Sequence, residues 1–162
     1  MPKLKFAPLI LRSPVISKPE ATESPTTKLK PLARVLSVSP IPDDHQALRQ
    51  ILDDPCWHVC VATGRLEAMA RLSWDRIDVV ICEGNLPDGS WRDLLRSVDE
   101  FSKPLTLIVT SRLADESLWA EVLNLGGHDV LAKPFDEQEV RRVLASAWDH
   151  RHRPIRARGA GA

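Results

Sequence analysis

The chain has 162 residues, of which 43% are apolar and 27% are charged, and its formal net charge is zero. This length suits a single domain with one core. No apolar run approaches the ~20 residues that a membrane helix needs. The apolar part of the N-terminal stretch KLKFAPLILRSPVIS is too short and too interrupted for a signal peptide. We therefore expect a cytoplasmic protein with no membrane segment.

Charge and proline are unevenly distributed along the chain. Residues 35–150 hold 11 Lys and Arg against 20 Asp and Glu, whereas residues 1–34 carry a net charge of +5 and residues 151–162 a net charge of +4. Eight of the 13 prolines lie near the N-terminus, and segments rich in Pro, Ser, Thr and Lys bury too little apolar surface to become ordered. We predict a flexible arm over 1–32, a folded body over 33–150 and a flexible basic tail over 151–162. The basic ends are either solvated or contact an acidic surface, of the body or of a partner.

The three cysteines, Cys56, Cys60 and Cys82, form an odd set without a Cys-x-x-Cys pair. We expect reduced, mostly buried thiols in a reducing compartment. A metal site built from His58, Cys60 and Cys82 is rejected, because the spacing of these residues matches no ligand framework.

Five short apolar stretches predict β-strands. They are RVLSVS (34–39), HVCVAT (58–63), IDVVIC (77–82), LTLIVT (105–110) and HDVLA (128–132). The third stretch is the most apolar, as expected for a strand that is covered on both faces.

Helical patterns separate these strands. The first helix is expected to begin at Asp43, with that side chain as its N-cap, and the second to span about 64–74. Apolar positions at helical spacing should face the sheet: Leu48, Ile51 and Leu52; Trp91, Leu94, Leu95 and Val98; Leu118, Val122 and Leu125; and Val140, Val143, Leu144, Ala147 and Trp148. This alternation predicts an α/β fold, a doubly wound five-stranded parallel sheet flanked by five helices with right-handed crossovers.

Polar residues stand at the ends of three predicted strands. Glu83 follows the third strand, Thr110 ends the fourth and Lys133 follows the fifth. In doubly wound sheets the functional groups gather beyond the carboxyl ends of the strands. We therefore expect these three side chains to form one site.

Over about residues 33–150 the sequence resembles the receiver domain of two-component response regulators. The resemblance rests on VVICEGNLPDG, on LIVTS at the end of the fourth strand and on GGHDVLAKPF around the fifth. It implies a flavodoxin-like fold with strand order 2-1-3-4-5. It also implies phosphoryl transfer from a histidine kinase to an aspartate after the third strand, assisted by Mg²⁺ on two acidic residues after the first strand.

The resemblance places only part of that machinery in this sequence. The acceptor position holds Glu83, and the acidic pair is replaced by Ser39 and Pro40. Thr110 and Lys133 match the residues that contact the phosphoryl oxygens. Two further matches are Pro134, which implies a cis Lys-Pro bond, and Asn85, whose carbonyl would face the metal. A third departure is Val130, which stands at the position of the aromatic switch.

These departures predict a pseudo-receiver, which is not an enzyme, has lost Mg²⁺ binding, needs no cofactor and acts through protein–protein contacts. Glu83 should accept a charge-assisted hydrogen bond from Lys133. Asp43 and Asp44 come a helical turn too late to replace the acidic pair, and capping the first helix is their expected role.

Two alternatives stay open at this point. In one, the protein is a working phosphorelay regulator that a histidine kinase phosphorylates at a non-standard acceptor, for which Asp88 is the nearby candidate. In the other, the basic tail binds nucleic acid through Arg151, Arg153, Arg156 and Arg158, which is disfavoured because short basic tails are usually only solvated.

The expected partner is a signalling protein, such as a histidine kinase or another regulator, or a second copy of the chain in a homodimer. Trp119 and Leu123 lie off the apolar stripe of the predicted fourth helix. Receiver domains commonly dock partners on the face formed by this helix, the fifth strand and the last helix. Interface cores favour tryptophan, so these two residues are the predicted anchors.

Overall fold

The computed structural model describes residues 33–100 and 105–153. Within these residues the strands are β1 (Ala33–Val38), β2 (Trp57–Ala62), β3 (Val79–Glu83), β4 (Asn85–Leu86), β5 (Gly89–Ser90), β6 (Thr106–Ser111) and β7 (Asp129–Ala132). The helices are α1 (Pro42–Ile51), α2 (Arg65–Trp74), α3 (Trp91–Asp99), α4 (Glu116–Asn124) and α5 (Glu137–His152). None of these helices is both long enough and apolar enough to cross a membrane.

Five of the strands form one parallel sheet in the order β2-β1-β3-β6-β7, and β4 pairs with β5 in a short antiparallel hairpin. Counting the strands of the large sheet alone, this is the predicted order 2-1-3-4-5. The predicted fold class, a doubly wound α/β sheet of the flavodoxin type, is therefore confirmed.

Apolar layers cover both faces of the sheet. Along β3, Val80 and Cys82 pack in the layer that contains α2, α3 and α4, whereas Val79 and Ile81 pack in the layer that contains α1 and α5. Alternate residues of a strand point to opposite faces, so both sets are apolar in a strand covered on each side. This burial explains why β3 is the most apolar strand.

Two helix ends differ from the prediction. The first helix begins at Pro42 and has Ile41 as its N-cap with no side-chain cap, so the expected capping by Asp43 is wrong. Proline is well suited to the first turn, because its missing N–H has no helical partner there. Helix α4 ends at Asn124, and Leu125 is 50% exposed instead of facing the sheet.

The predicted arm and most of the predicted tail lie outside the described residues. Helix α5 continues to His152, so Arg151 is helical although the tail was predicted to start there. Arg156 and Arg158 lie outside the described residues.

Candidate functional site

The carboxyl ends of β3, β6 and β7 bring Glu83, Thr110 and Lys133 together. Glu83 and Thr110 are register partners in adjacent strands, and the Thr110 Oγ1 hydroxyl donates to Glu83 Oε2 at 3.3 Å. The backbone N–H of Lys133 donates to the Ser111 carbonyl at 3.0 Å, which holds the start of the following loop against β6. The Lys133 ammonium contacts Glu83 Oε2 as an ion pair.

A second carboxylate reaches the same ammonium. Lys133 Nζ lies 2.9 Å from Asp44 Oδ2, and the Ser39 hydroxyl donates to that oxygen at 2.6 Å. The expected role of Asp44 as a cap of the first helix is wrong, since its carboxylate pairs with Lys133 instead. Because α1 begins at Pro42, Asp44 falls in its first turn, beside the end of β1.

The ionic group formed by Asp44, Glu83 and Lys133, called here the lysine bridge, is largely buried. The side chains are 12%, 15% and 7% exposed, respectively. Burial lowers the pKa of Lys133, but the hydrogen bonds to Glu83 and Asp44 outweigh burial and raise it above its ordinary value. The ammonium therefore stays charged at neutral pH and holds both carboxylates.

The donor set at this edge does not fit a magnesium ion. Mg²⁺ needs several oxygen ligands in near-octahedral geometry. The Ser39 hydroxyl donates to Asp44, Pro40 has no side-chain oxygen, and the carboxylates of Asp44 and Glu83 are paired with Lys133. A cation at this edge would have to compete with an ammonium that the protein already holds there.

The remaining residues of the predicted site differ in their exposure to solvent. The Lys133–Pro134 peptide bond is cis, and Val130 is buried in β7, where a small side chain fills the position expected for an aromatic one. Asn85 is exposed in the β4–β5 hairpin.

Asp88, the alternative acceptor, accepts two hydrogen bonds from the backbone of α2. Its Oδ1 accepts from the backbone N–H of Arg65 at 2.6 Å, and its Oδ2 accepts from that of Leu66 at 2.9 Å. These bonds satisfy the first turn of α2 and hold the pKa of Asp88 below its usual range. The carboxylate therefore caps a helix, a role that the turn motif alone did not indicate.

Sequence reasoning missed His45, which lies beneath the lysine bridge. His45 is 8% exposed; Nε2 donates to the Ser39 carbonyl at 2.9 Å, and Nδ1 accepts from the Ser37 hydroxyl at 2.8 Å. Ser37 and Ser39 frame the end of β1, so His45 fixes the backbone from which Ser39 reaches Asp44. The signal for it was its spacing: His45 lies three positions before Leu48 and seven before Leu52, on the buried face of α1.

We predict that His45 makes the fold sensitive to mild acid. Burial lowers the pKa of His45 below 6.5, so the unfolded chain binds a proton more readily as the pH falls below about 6.5. The free energy of unfolding should therefore fall from about pH 7 to pH 5, and His45→Gln should flatten this slope in urea titrations. His58→Gln, at an exposed position of β2, is the control and should keep the wild-type slope. An unchanged slope in His45→Gln would contradict the prediction.

Trp119 and Leu123 are 50% and 37% exposed on α4. Trp119 Nε1 donates to Asp129 Oδ1 at 3.2 Å, which holds the indole against the start of β7. Beside it is a cleft of about 250 Å³ lined by Ala114, Asp115, Glu116, Trp119, Val130, Ala132 and Glu139. The surface made by these residues and Leu123 is called here the α4–β7–α5 face.

The three cysteines are free thiols, and that of Cys82 donates to the Glu83 carbonyl at 3.3 Å. Cys82 is buried, and burial raises its pKa to about 12, whereas Cys56 is exposed, contrary to the expectation of mostly buried thiols. In the part of the chain that the structure describes, no three His, Cys, Asp or Glu side chains are grouped as metal ligands.

The chain is similar to known proteins in its sequence and in its fold. The chain is 28% identical over 105 residues to the transcriptional regulatory protein KdpE of Staphylococcus aureus. This alignment covers 62% of the chain and 45% of the relative. It spans about half the length of the curated relatives that it matches. The signal receiver domain of an HD domain-containing protein from Pseudomonas fluorescens Pf-5 superposes with a TM-score of 0.67 at 27% identity, covering 74% of this chain and 89% of that one.

A chain of the CheX–CheY–BeF3–Mg²⁺ complex from Borrelia burgdorferi gives a TM-score of 0.65 at 24% identity, over 72% of this chain and 89% of that one, a likeness of fold alone. The family model described as the response regulator receiver domain matches residues 35–145, and that range contains β3, β6 and β7 with the whole lysine bridge. The chain belongs to the response regulator receiver domain family.

Proposed function

We propose that this receiver domain is a pseudo-receiver, a cytoplasmic signalling module that acts through protein–protein contacts and takes up no phosphoryl group. The observation that carries the proposal is the lysine bridge, in which one buried ammonium is shared by Glu83 and Asp44. Phosphoryl transfer depends on a metal ion that neutralises the developing charge. Here the two carboxylates are held by an ammonium, the acidic pair that would hold the metal is replaced by Ser39 and Pro40, and no catalytic role is assigned to these groups.

The lysine bridge supports a fixed conformation at the phosphorylation edge. Glu83 carries one negative charge, against the −1.5 to −2 of a phosphoryl group. It is held by Lys133 and by Thr110, the two side chains that would otherwise contact phosphoryl oxygens. The domain would therefore present one constant surface to its partner, without a cycle of modification.

Treatment with a small phosphodonor and Mg²⁺ is the direct test. The wild-type chain should show no gain of a phosphoryl group in intact-mass measurement, because the metal ligands are missing and Glu83 is paired with Lys133. A receiver domain that keeps its Asp acceptor and acidic pair, treated in parallel, is the positive control. A Mg²⁺-dependent phosphoryl group mapped to Glu83 or Asp88 would overturn the proposal.

We infer that the partner binds the α4–β7–α5 face. This face combines an exposed indole, an adjacent leucine and a cleft, and interface cores favour such anchors. The related fold in the Borrelia burgdorferi complex was solved together with CheX, a second protein. A histidine kinase, another regulator or a second copy of this chain would fit the proposal.

Trp119→Ala should weaken that contact by about tenfold or more, the loss expected when an interface anchor is removed. Self-association is measured by sedimentation, and binding to the histidine kinases of the same organism by fluorescence anisotropy. Trp74→Ala is the matched control, because Trp74 is also exposed but lies on α2. If Trp119→Ala changes none of these affinities, the assignment of the surface is wrong.

A further inference from the structure

Arginines gather at the edge of the sheet opposite the lysine bridge. Arg34 and Arg71 lie 3.9 and 3.8 Å from the two oxygens of Asp75, at the C-terminal end of α2. Two more arginines contact Asp78, just before β3: Arg76 at 3.9 Å and Arg151 at 3.6 Å. Together with Arg153, which caps α5, these residues are called here the arginine cluster.

Positive charge exceeds negative charge in this cluster. Four of its five arginines contact the two aspartates, and the Asp78 side chain is only 4% exposed, so that carboxylate is hardly accessible at the surface. The guanidinium of Arg76, by contrast, belongs to a side chain that is 78% exposed. The cluster is therefore a local cationic surface on a body whose overall charge is negative.

An unburied aromatic side chain lies within the cluster. Trp74 is 88% exposed at the C-terminal end of α2, between Arg71 one helical turn before it and Arg76 two residues after it. Leu66, also exposed, lies eight residues earlier on α2. Trp74 packs in neither of the two apolar layers, so core packing does not explain why a tryptophan stands at this position.

The described chain begins and ends at this same edge. The backbone N–H of Arg34 donates to Asp78 Oδ2 at 2.8 Å, and Arg151 Nη1 donates to the Asp78 carbonyl at 3.2 Å. Arg34 and Arg151, which lie near the two ends of the described chain, therefore meet at Asp78.

We propose that the arginine cluster and Trp74 form a binding surface for single-stranded nucleic acid. Exposed bases would stack on the Trp74 indole, and the arginines would contact the phosphates; single-strand-binding sites combine aromatic platforms with basic grooves in this way. The exposed aromatic surface favours an unpaired strand over a duplex, whose bases are already stacked. It also favours nucleic acid over an acidic protein, which would use the arginines but not an aromatic platform.

Fluorescence anisotropy of a labelled oligothymidine of about 20 nucleotides, longer than one typical single-strand site, tests the stacking contact on the full chain. Trp74→Ala should weaken binding by about fivefold or more, the lower end of the loss for one stacked base, and Trp74→Phe should retain most of the affinity. Leu113→Ala, at an exposed position just after β6, is the control and should bind as the wild type does. No measurable binding by the wild type, or equal binding by Trp74→Ala, would overturn the proposal.

The salt dependence of the same binding tests the arginines. Arg76→Gln combined with Arg153→Gln should reduce the slope of log affinity against log salt by about 1.4, since each single-strand phosphate contact contributes about 0.7. Arg96→Gln removes a side chain that is as exposed as Arg76, 78%, from α3 and should leave the slope unchanged. An unchanged slope in the double variant would overturn the assignment.

Two further ligands separate the competing partners. A duplex of the same length and a polyglutamate of similar charge should bind more weakly than the single strand, and their affinities should not depend on Trp74. Tighter binding of the duplex would overturn the single-strand assignment, and tighter binding of polyglutamate would indicate an acidic protein partner instead. These results are independent of the phosphodonor test, because the cluster and the lysine bridge lie at opposite edges of the sheet.

Discussion

Lys133→Met should lower the free energy of unfolding by about 3–5 kcal/mol, the range for removing one partner of a buried ion pair. The substitution keeps a chain of similar length but leaves the carboxylates of Asp44 and Glu83, 12% and 15% exposed, without their common cation. Two like charges would then face each other in a poorly hydrated place. Urea unfolding at neutral pH measures the loss.

Arg141→Met is the matched control for this prediction. Arg141 also pairs with two carboxylates, those of Asp54 and Glu137, but its side chain is 42% exposed. Solvent screens such pairs, so its replacement should lower the free energy of unfolding far less than the replacement of Lys133 does. Adding Asp44→Asn and Glu83→Gln to Lys133→Met should recover much of the lost stability, because the uncompensated charges are then removed. Equal losses in the Lys133 and Arg141 variants would contradict the importance of the lysine bridge.

Glu83→Asp together with Ser39→Asp and Pro40→Asp should restore phosphorylation, whereas Glu83→Asp alone should not. Glu83 places its carboxylate one methylene further out than an aspartate would, and a misplacement of ~1 Å can cost on the order of a hundredfold in rate. Glu83→Asp corrects this position, but the single variant still lacks the acidic pair that would hold the metal. The triple variant supplies two carboxylates beside Asp44, where Ser39 now donates to it, and Thr110 is already in place.

Intact mass after phosphodonor treatment, with and without Mg²⁺, distinguishes these variants. Mg²⁺ should also raise the melting temperature of the triple variant and leave that of the wild type unchanged, because a ligand stabilises only the state that binds it. Ser39 is 2% exposed, so carboxylates at this edge should make the triple variant less stable when Mg²⁺ is absent. Phosphorylation of the single Glu83→Asp variant would show that the acidic pair is not what limits the reaction.

Local patterns in the sequence were sufficient to predict the architecture of the fold. The apolar run of β3, the helical spacing of Trp91 and Leu94, and the alternation of strands with helices all follow from residues near one another in the chain. The meeting of Glu83, Thr110 and Lys133 could also be foreseen, because parallel strands place their carboxyl ends at one edge.

Contacts between distant residues were decided by the tertiary structure. The pairing of Asp44 with Lys133 spans 89 positions and depends on where α1 begins, which Pro42 sets and Asp43 does not. The hydrogen bond of Asp88 to Arg65, 23 positions away, depends in the same way on how a turn lies against a helix end.

The sequence by itself determined the fold, the family resemblance and the presence of Glu83 at the end of the third strand, since these depend on residue types and on hydrophobic periods of two and 3.6 residues. Only the tertiary structure decided that a second carboxylate shares Lys133, and that Arg34 and Arg151 meet at Asp78 beside an exposed Trp74. The physical reason is that charge and hydrogen-bond partners act over a few ångströms in space. Such distances are set by the packing of whole elements, and no local pattern records them.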